Sequence, residues 1–343
     1  MGGSKRTVKG LDAEFRRIFS EAVGSHQCDR TESTDIGIMK SSSIVEIETQ
    51  RGVAELGPAQ FAVVDQQRTR EARLHHEAIT GFRDKFYTFG GGVKISPTSD
   101  NWYPSNRVWE YTPATDSWRE LAPMPTKRGG GIALVLDNKI WVIGGAGFHP
   151  LQAEDISIAA GVPHRTVNTV EVFDPATGKW ETKASMLVPR NHLAGGVVNG
   201  KIYVMGGRMG SSFVGASSTD AVEEYDPSTD MWRVVARMPY PRSGMAFGTA
   251  GNLIYMAGGE FLNRDMVGVF RNAEAFDPAR HVWYELPPMT VARHGFAGGI
   301  INGVFHTVTG QLQSGTGGGG PGGSPAHEGY LIGKPAPAAT ASK

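Results

Sequence analysis

Residues 201–232 read KIYVMGGRMGSSFVGASSTDAVEEYDPSTDMW, and both ends of that stretch return along the chain. The opening piece, KIYVMGG (201–207), recurs as KFYTFGG (85–91), KIWVIGG (139–145), LIYMAGG (253–259) and, more loosely, VFHTVTG (304–310). The closing piece, VEEYDPSTDMW (222–232), recurs as VWEYTPATDSW (108–118), VEVFDPATGKW (170–180) and AEAFDPARHVW (273–283). The terminal glycines Gly91, Gly145, Gly207, Gly259 and Gly310 are spaced by 54, 62, 52 and 51 residues. The tryptophans Trp118, Trp180, Trp232 and Trp283 follow at 62, 52 and 51, so both pieces keep one clock. An arginine opens each unit: Arg73, Arg128, Arg190, Arg242 and Arg293.

Each unit reads as four short strands. The first follows the arginine (GIALVL, LAGGVV, GFAGGII) and ends at Asp137-Asn138, Asn199-Gly200, Gly251-Asn252 or Asn302-Gly303. Such pairs accept the positive φ of a two-residue hairpin turn. The second strand is the IYVMGG type. The third alternates apolar and polar residues and stops at Asp-Pro, where proline denies the ladder a donor. The fourth starts at tryptophan. No helical period occurs over 73–310, so the fold class is all-β, a propeller of four-stranded blades.

Gly-Gly closing one strand, aromatic-Asp-Pro closing the next and a tryptophan shortly after resemble kelch repeats over about 73–310. The resemblance implies a bacterial-type kelch protein in the galactose-oxidase/kelch superfamily. Five blades are legible, and six are usual in that family. The fifth unit departs from the pattern, with Thr309-Gly310 for Gly-Gly and then LQSGTGGGGPGGSP. Residues 43–58, SIVEIETQRGVAELGP, imitate third and fourth strands and are expected to close the ring against that unit, removing a free edge. The expected organisation is a polar extension over 1–42, a propeller over 43–312 and a disordered Gly/Pro/Ala-rich tail over 313–343.

Composition narrows the function. Among 343 residues, 34 Lys+Arg balance 34 Asp+Glu, so nothing draws the chain toward nucleic acid or an anionic membrane. No apolar run suits a signal peptide or a membrane span, so the expectation is a cytoplasmic, monomeric protein, periplasmic or secreted if a native signal was removed. The single cysteine, Cys28, excludes a disulfide and a cysteine zinc site. The resemblance also raises copper-radical oxidases, which need a Cys–Tyr crosslink; Cys28 lies outside the repeats, so no copper and no other cofactor is expected.

The repeated arginines invite an anion-binding reading. A residue present in every blade more simply serves the blade, through neighbouring carbonyls or Glu171, Glu223 and Glu274. Glu223 and Glu224 alternate across a strand, so one of them is expected to face solvent. The Gly-Gly pairs lack the following helix that a phosphate loop requires. His75 and His192, each read as two residues past a blade arginine, could approach one another at the channel mouth, but no third metal ligand shares the spacing.

The connections between second and third strands (92–107, 146–169, 208–221, 260–272) are long and unlike one another, and they emerge on one face. They carry the expected binding residues Trp102, Tyr103, His149, His164, Arg165, Arg208, Glu260, Arg264 and Arg271, with His192 beside them. The expected function is a non-catalytic scaffold for a protein or carbohydrate ligand. The alternatives are a sialic-acid-type epimerase or mutarotase using Glu260 and Arg264, which the resemblance to bacterial epimerases implies, and a purely structural module.

Overall fold

The computed structural model describes residues 74–93, 103–148, 165–210, 217–263, 266–314 and 323–332. They form five blades of a β-propeller, almost free of helix. Blade one is Ala78–Phe82, Lys85–Phe89, Val108–Thr112 and Ser117–Leu121; blade two is Ile132–Leu136, Lys139–Ile143, Val170–Asp174 and Lys179–Lys183. Blade three is Ala194–Val198, Lys201–Met205, Ala221–Asp226 and Met231–Arg237; blade four is Ala246–Ala250, Leu253–Ala257, Ala273–Asp277 and Val282–Leu286. Every neighbouring pair within a blade is antiparallel and in sequence order.

Blade five departs from expectation. Its first two strands are Ala297–Ile301 and Val304–Val308, and its third is His327–Leu331, inside the segment read as disordered tail. Glu328 explains the docking: it meets the blade arginine Arg293 at 2.8 Å, as Glu171, Glu223 and Glu274 meet Arg128, Arg190 and Arg242. The proposed closing segment 43–58 lies outside the described residues.

The Gly-Gly signature and the blade arginine are two halves of one junction. Arg242 of blade four turns its carbonyl back onto blade three, where the Gly207 N–H donates to it at 2.9 Å. Gly206, at φ +60°, must lie under that carbonyl; a Cβ there would sit 2.6 Å from the Arg242 oxygen. The same bond runs from Gly91 to Arg128, Gly145 to Arg190 and Gly259 to Arg293. Each guanidinium then serves its own blade. Arg190 donates to the Gly206 and Ala221 carbonyls at 2.9 and 2.8 Å and pairs with Glu223, both side chains being fully buried. Burial pushes the Glu274 carboxyl above its usual range against the pull of Arg242. A buried pair of this kind costs several kcal/mol to break from one side. The anion-binding alternative therefore has no arginine left to use at these positions.

Tryptophan fastens the outer strands. Trp180 Nε1 donates to Ala122 O of the preceding blade at 3.1 Å, Trp232 to Ala184 O at 2.8 Å and Trp283 to Arg237 O at 2.8 Å. One of Glu223 and Glu224 was expected to face solvent, but both are buried, and Glu224 is 3% exposed. It accepts from Tyr203, Lys201 and Arg233, and Glu110 does the same in blade one with Tyr87, Lys85 and Arg119.

Candidate functional site at the channel mouth and loop face

The long connections are not irregular at their roots. After Gly-Gly each resumes as a short antiparallel pair: Ala146–Gly147 with Arg165–Thr166, Arg208–Met209 with Ser217–Ser218, and Glu260–Leu262 with Val267–Val269. The residue after each blade arginine joins the same pair, as Gly129 with Ala146, Asn191 with Arg208, Ser243 with Glu260 and His294 with Gln311. The segment leading into a blade and the connection crossing it therefore build one face.

One position further, a belt of backbone bonds crosses from blade to blade. Gly130 N donates to His76 O at 2.7 Å, His192 N to Gly130 O at 2.7 Å, Gly244 N to His192 O at 2.8 Å and Gly295 N to Gly244 O at 2.9 Å. All five belt residues have positive φ. Glycine takes that conformation freely, whereas histidine at φ +62° (His76) or +53° (His192) is held there at a cost of order 1 kcal/mol. Strain retained at two positions where the other blades use glycine directs attention to the imidazoles.

Their side chains start a charged network. His192 Nδ1 lies 2.6 Å from Asn191 Oδ1, which only accepts, so neutral His192 carries its proton on Nδ1. Its Nε2 then accepts from His76 Nδ1 at 3.0 Å. Asn191 Oδ1 also takes the Arg208 Nε–H at 3.2 Å. Arg208 pairs with Glu260 of blade four, which accepts from Ser314 at 2.9 Å and lies 3.5 Å from His294 of blade five. Beside His76, Glu77 is 3% exposed, and burial pushes its carboxyl up to about 7. Among the described residues no three His, Cys, Asp or Glu side chains are grouped to hold a metal.

The same face also carries exposed apolar side chains. Of the exposed large apolar side chains, Leu187, Met209, Tyr240, Met266 and Leu312 belong to the connections on this face; Met231, Val234 and Leu331 lie on outer strands. Tyr240, Pro241, Phe261, Met266, Val269 and Phe270 line a cavity of about 360 Å³ between the segment entering blade four and that blade's own connection. The Tyr240 and Phe270 rings lie tilted with centroids 6.2 Å apart, and the Arg242 guanidinium lies 5.5 Å from the Phe270 ring.

The sequence-derived site residues divide accordingly. His192, Arg208 and Glu260 come together, but Arg208 and Glu260 are buried strand residues that satisfy one another, not exposed anchors. Arg271 donates to Met289 O at 2.6 Å and braces its own blade. Tyr103 is half-buried at a strand rung, and Arg165 is exposed on the face. Trp102, His149, His164 and Arg264 lie outside the described residues, as does Arg73.

Register corrects the histidine reading. Counting back equally from Lys85, Lys139, Lys201, Leu253 and Val304 places Leu74, not Arg73, at the blade-arginine position. His76 is consequently the partner of His192, and His75 pairs with Gly92. Blade one lacks both halves of the ion pair, with Leu74 for arginine and Trp109 where Glu223 stands. His76 and His294 were legible only as histidines near a blade arginine, whereas Asn191, Ser314 and the exposed methionines gave no motif.

The kelch motif matches residues 78–125, 133–187 and 189–239. The chain is 28% identical to Kelch-like protein terF of Aspergillus terreus over 65% of its length and 47% of that protein. It is 26% identical to human Kelch-like protein 23 over 63% of this chain and 34% of that one. Alpha-scruin of Limulus polyphemus is 27% identical over 84% of this chain and 29% of its own. The chain thus spans less than half the length of these relatives. A solved structure titled "Structure of YjhT" shares the fold at a TM-score of 0.54 and 18% identity, covering 70% of this chain and 74% of that one. Motif, register and fold agree that the chain carries kelch repeats over residues 78–239 and is similar to the kelch-like proteins.

Proposed function

We propose that this propeller is a non-catalytic binding scaffold, and that it holds a protein partner on the face that carries the second-to-third-strand connections. The observation behind this reading is that exposed Leu187, Met209, Tyr240, Met266 and Leu312 all belong to connections on that face, and that Tyr240 and Met266 line an apolar cavity there. Large apolar side chains kept in water around a rigid frame are the ordinary sign of an interface, and methionine adapts to irregular partners. The kelch-like relatives support a binding role. Exposed apolar side chains on the face that carries the polar network also support protein over carbohydrate, because they supply anchors and the network fixes register.

Affinity capture with Tyr240→Ala and Met266→Ala tests this, with Met231→Ala as the control away from the face. Each face variant is expected to weaken capture by at least tenfold, as loss of an anchor does, while the control matches wild type. Undiminished capture by both face variants would overturn the assignment. The epimerase alternative is tested in parallel by following sialic-acid anomer exchange by NMR with wild type and Glu260→Gln; the scaffold reading expects no acceleration by either.

A further inference from the structure

We propose that Met209 and Met266, on the face assigned above to a protein partner, make binding redox-sensitive; this regulation rests on that assignment. A hydroperoxide converts the two thioethers to sulfoxides and the partner is released, and reduction restores the face.

Burial sorts the methionines. Ten of the twelve in the chain are among the described residues. Met124, Met186, Met238 and Met289 each stand four residues before a blade arginine and are at most 4% exposed. Met205, Met245 and Met256 are buried to the same degree. A sulfur inside a close-packed core is out of reach of an oxidant in water. Met209, Met231 and Met266 are 36, 64 and 60% exposed. Among the described residues, methionine oxidation is therefore confined to three sites. Two belong to connections on the partner face, and Met231 lies on the outer strand of blade three, away from it.

Both face methionines are held by the main chain. Met209 pairs with Ser217 in the rung after Arg208. At the equivalent step the other blades have Val93, Gly147, Phe261 and Leu312, which offer a peroxide no sulfur. Met266 follows the turn between Glu260–Leu262 and Val267–Val269. Its N–H donates to Asn263 Oδ1 at 2.7 Å, and its carbonyl accepts the Asn263 N–H at 3.0 Å. The turn thus fixes a residue whose side chain lines the cavity with Tyr240, Phe261 and Phe270.

The chemistry with hydrogen peroxide balances without a further reactant. The sulfur lone pair attacks one peroxide oxygen; an S–O bond forms as the O–O bond breaks, and sulfur is oxidised by two electrons. The proton of the transferred oxygen passes to the leaving hydroxide, which departs as water. A flexible apolar side chain becomes a polar acceptor. Covered by a partner, that acceptor loses its water and finds an apolar surface, a penalty it does not incur in the free protein. Oxidation therefore weakens the complex and leaves the fold intact.

Peroxide treatment of the full chain, read by peptide mass spectrometry and affinity capture, tests this. Met209, Met231 and Met266 should oxidise at least tenfold faster than the buried methionines, and bound partner should slow Met209 and Met266 but not Met231. Capture should fall at least tenfold as the face pair is oxidised and return with a methionine sulfoxide reductase. Met231→Leu should lose capture on treatment as wild type does. Met209→Leu combined with Met266→Leu, whatever its starting affinity, should lose no more. Capture undiminished at full oxidation of the pair, or falling equally in the double variant, would overturn the proposal. Should the double variant capture nothing, shielding in the wild-type complex decides: selective slowing of the face pair supports the proposal, and equal rates at all three exposed sites refute it. Tyr240→Ala separates the two readings. If it weakens capture and oxidation does not, the face stands and the redox control falls; if neither weakens capture, the face itself falls.

Discussion

At the residue scale, the buried charges show how a repeat distributes necessity. The pairing of Arg128, Arg190 and Arg242 with Glu171, Glu223 and Glu274 was legible, because both partners recur at a fixed offset. Glu77 was not. It falls where the other blades have Gly131, Leu193, Met245 and Phe296, and only the register that corrects Arg73 to Leu74 reveals a carboxyl at an apolar position. An unfolded glutamate titrates near 4.5 and the folded Glu77 near 7, so the native state prefers it protonated. Its contribution to stability is complete below pH 4.5 and is lost as the pH rises to about 7. Glu77→Gln removes that dependence. Denaturant melts should therefore find the variant more stable than wild type at pH 8, by up to ~3 kcal/mol, and little different at pH 5. A difference that does not change with pH would mean that Glu77 does not titrate on unfolding.

At the scale of the element, strands one to four of each blade could be read because turn chemistry, alternation and tryptophan mark every boundary. The strand His327–Leu331 could not, since HEGYL follows a glycine-rich sequence and has neither Asp-Pro nor tryptophan. What identifies it is a contact, Glu328 with Arg293, and contacts between distant segments are not written in local pattern. The connections failed differently. Their sequences are dissimilar, yet their first residues are strand, because the Gly-Gly turn and the carbonyl of the next arginine impose the rung whatever follows. Gly206→Ala tests that junction against a glycine of similar backbone. Gly200 has φ +73° with nothing near its missing Cβ, so Gly200→Ala should cost only the left-handed penalty, about 1 kcal/mol. Gly206→Ala adds a clash with the Arg242 carbonyl, and its loss should exceed that of Gly200→Ala by at least ~1.5 kcal/mol. Similar losses in both would show that the junction yields easily.

At the scale of the whole molecule, the blades are tied at the mouth twice, by the backbone belt and by the side-chain network, and the two can be separated. The belt bonds of His192 use only its N–H and C=O, so they persist when the side chain is removed. His192→Gly relieves a residue held at φ +53° and gives the belt the glycine that Gly130, Gly244 and Gly295 already provide. It also deletes the imidazole that links His76 to Asn191, and with it the tautomer that orients both. If the histidines serve the partner, the loss of strain should offset the loss of hydrogen bonds and the higher entropy of unfolded glycine. Stability should then stay within ~1 kcal/mol of wild type while partner capture falls at least tenfold. If instead they are fasteners between blades one and three, the variant should lose 2 kcal/mol or more in a denaturant melt and still capture the partner normally. The strain at His76 and His192 favours the first outcome: a fastener gains nothing from a conformation that three neighbouring glycines adopt without cost.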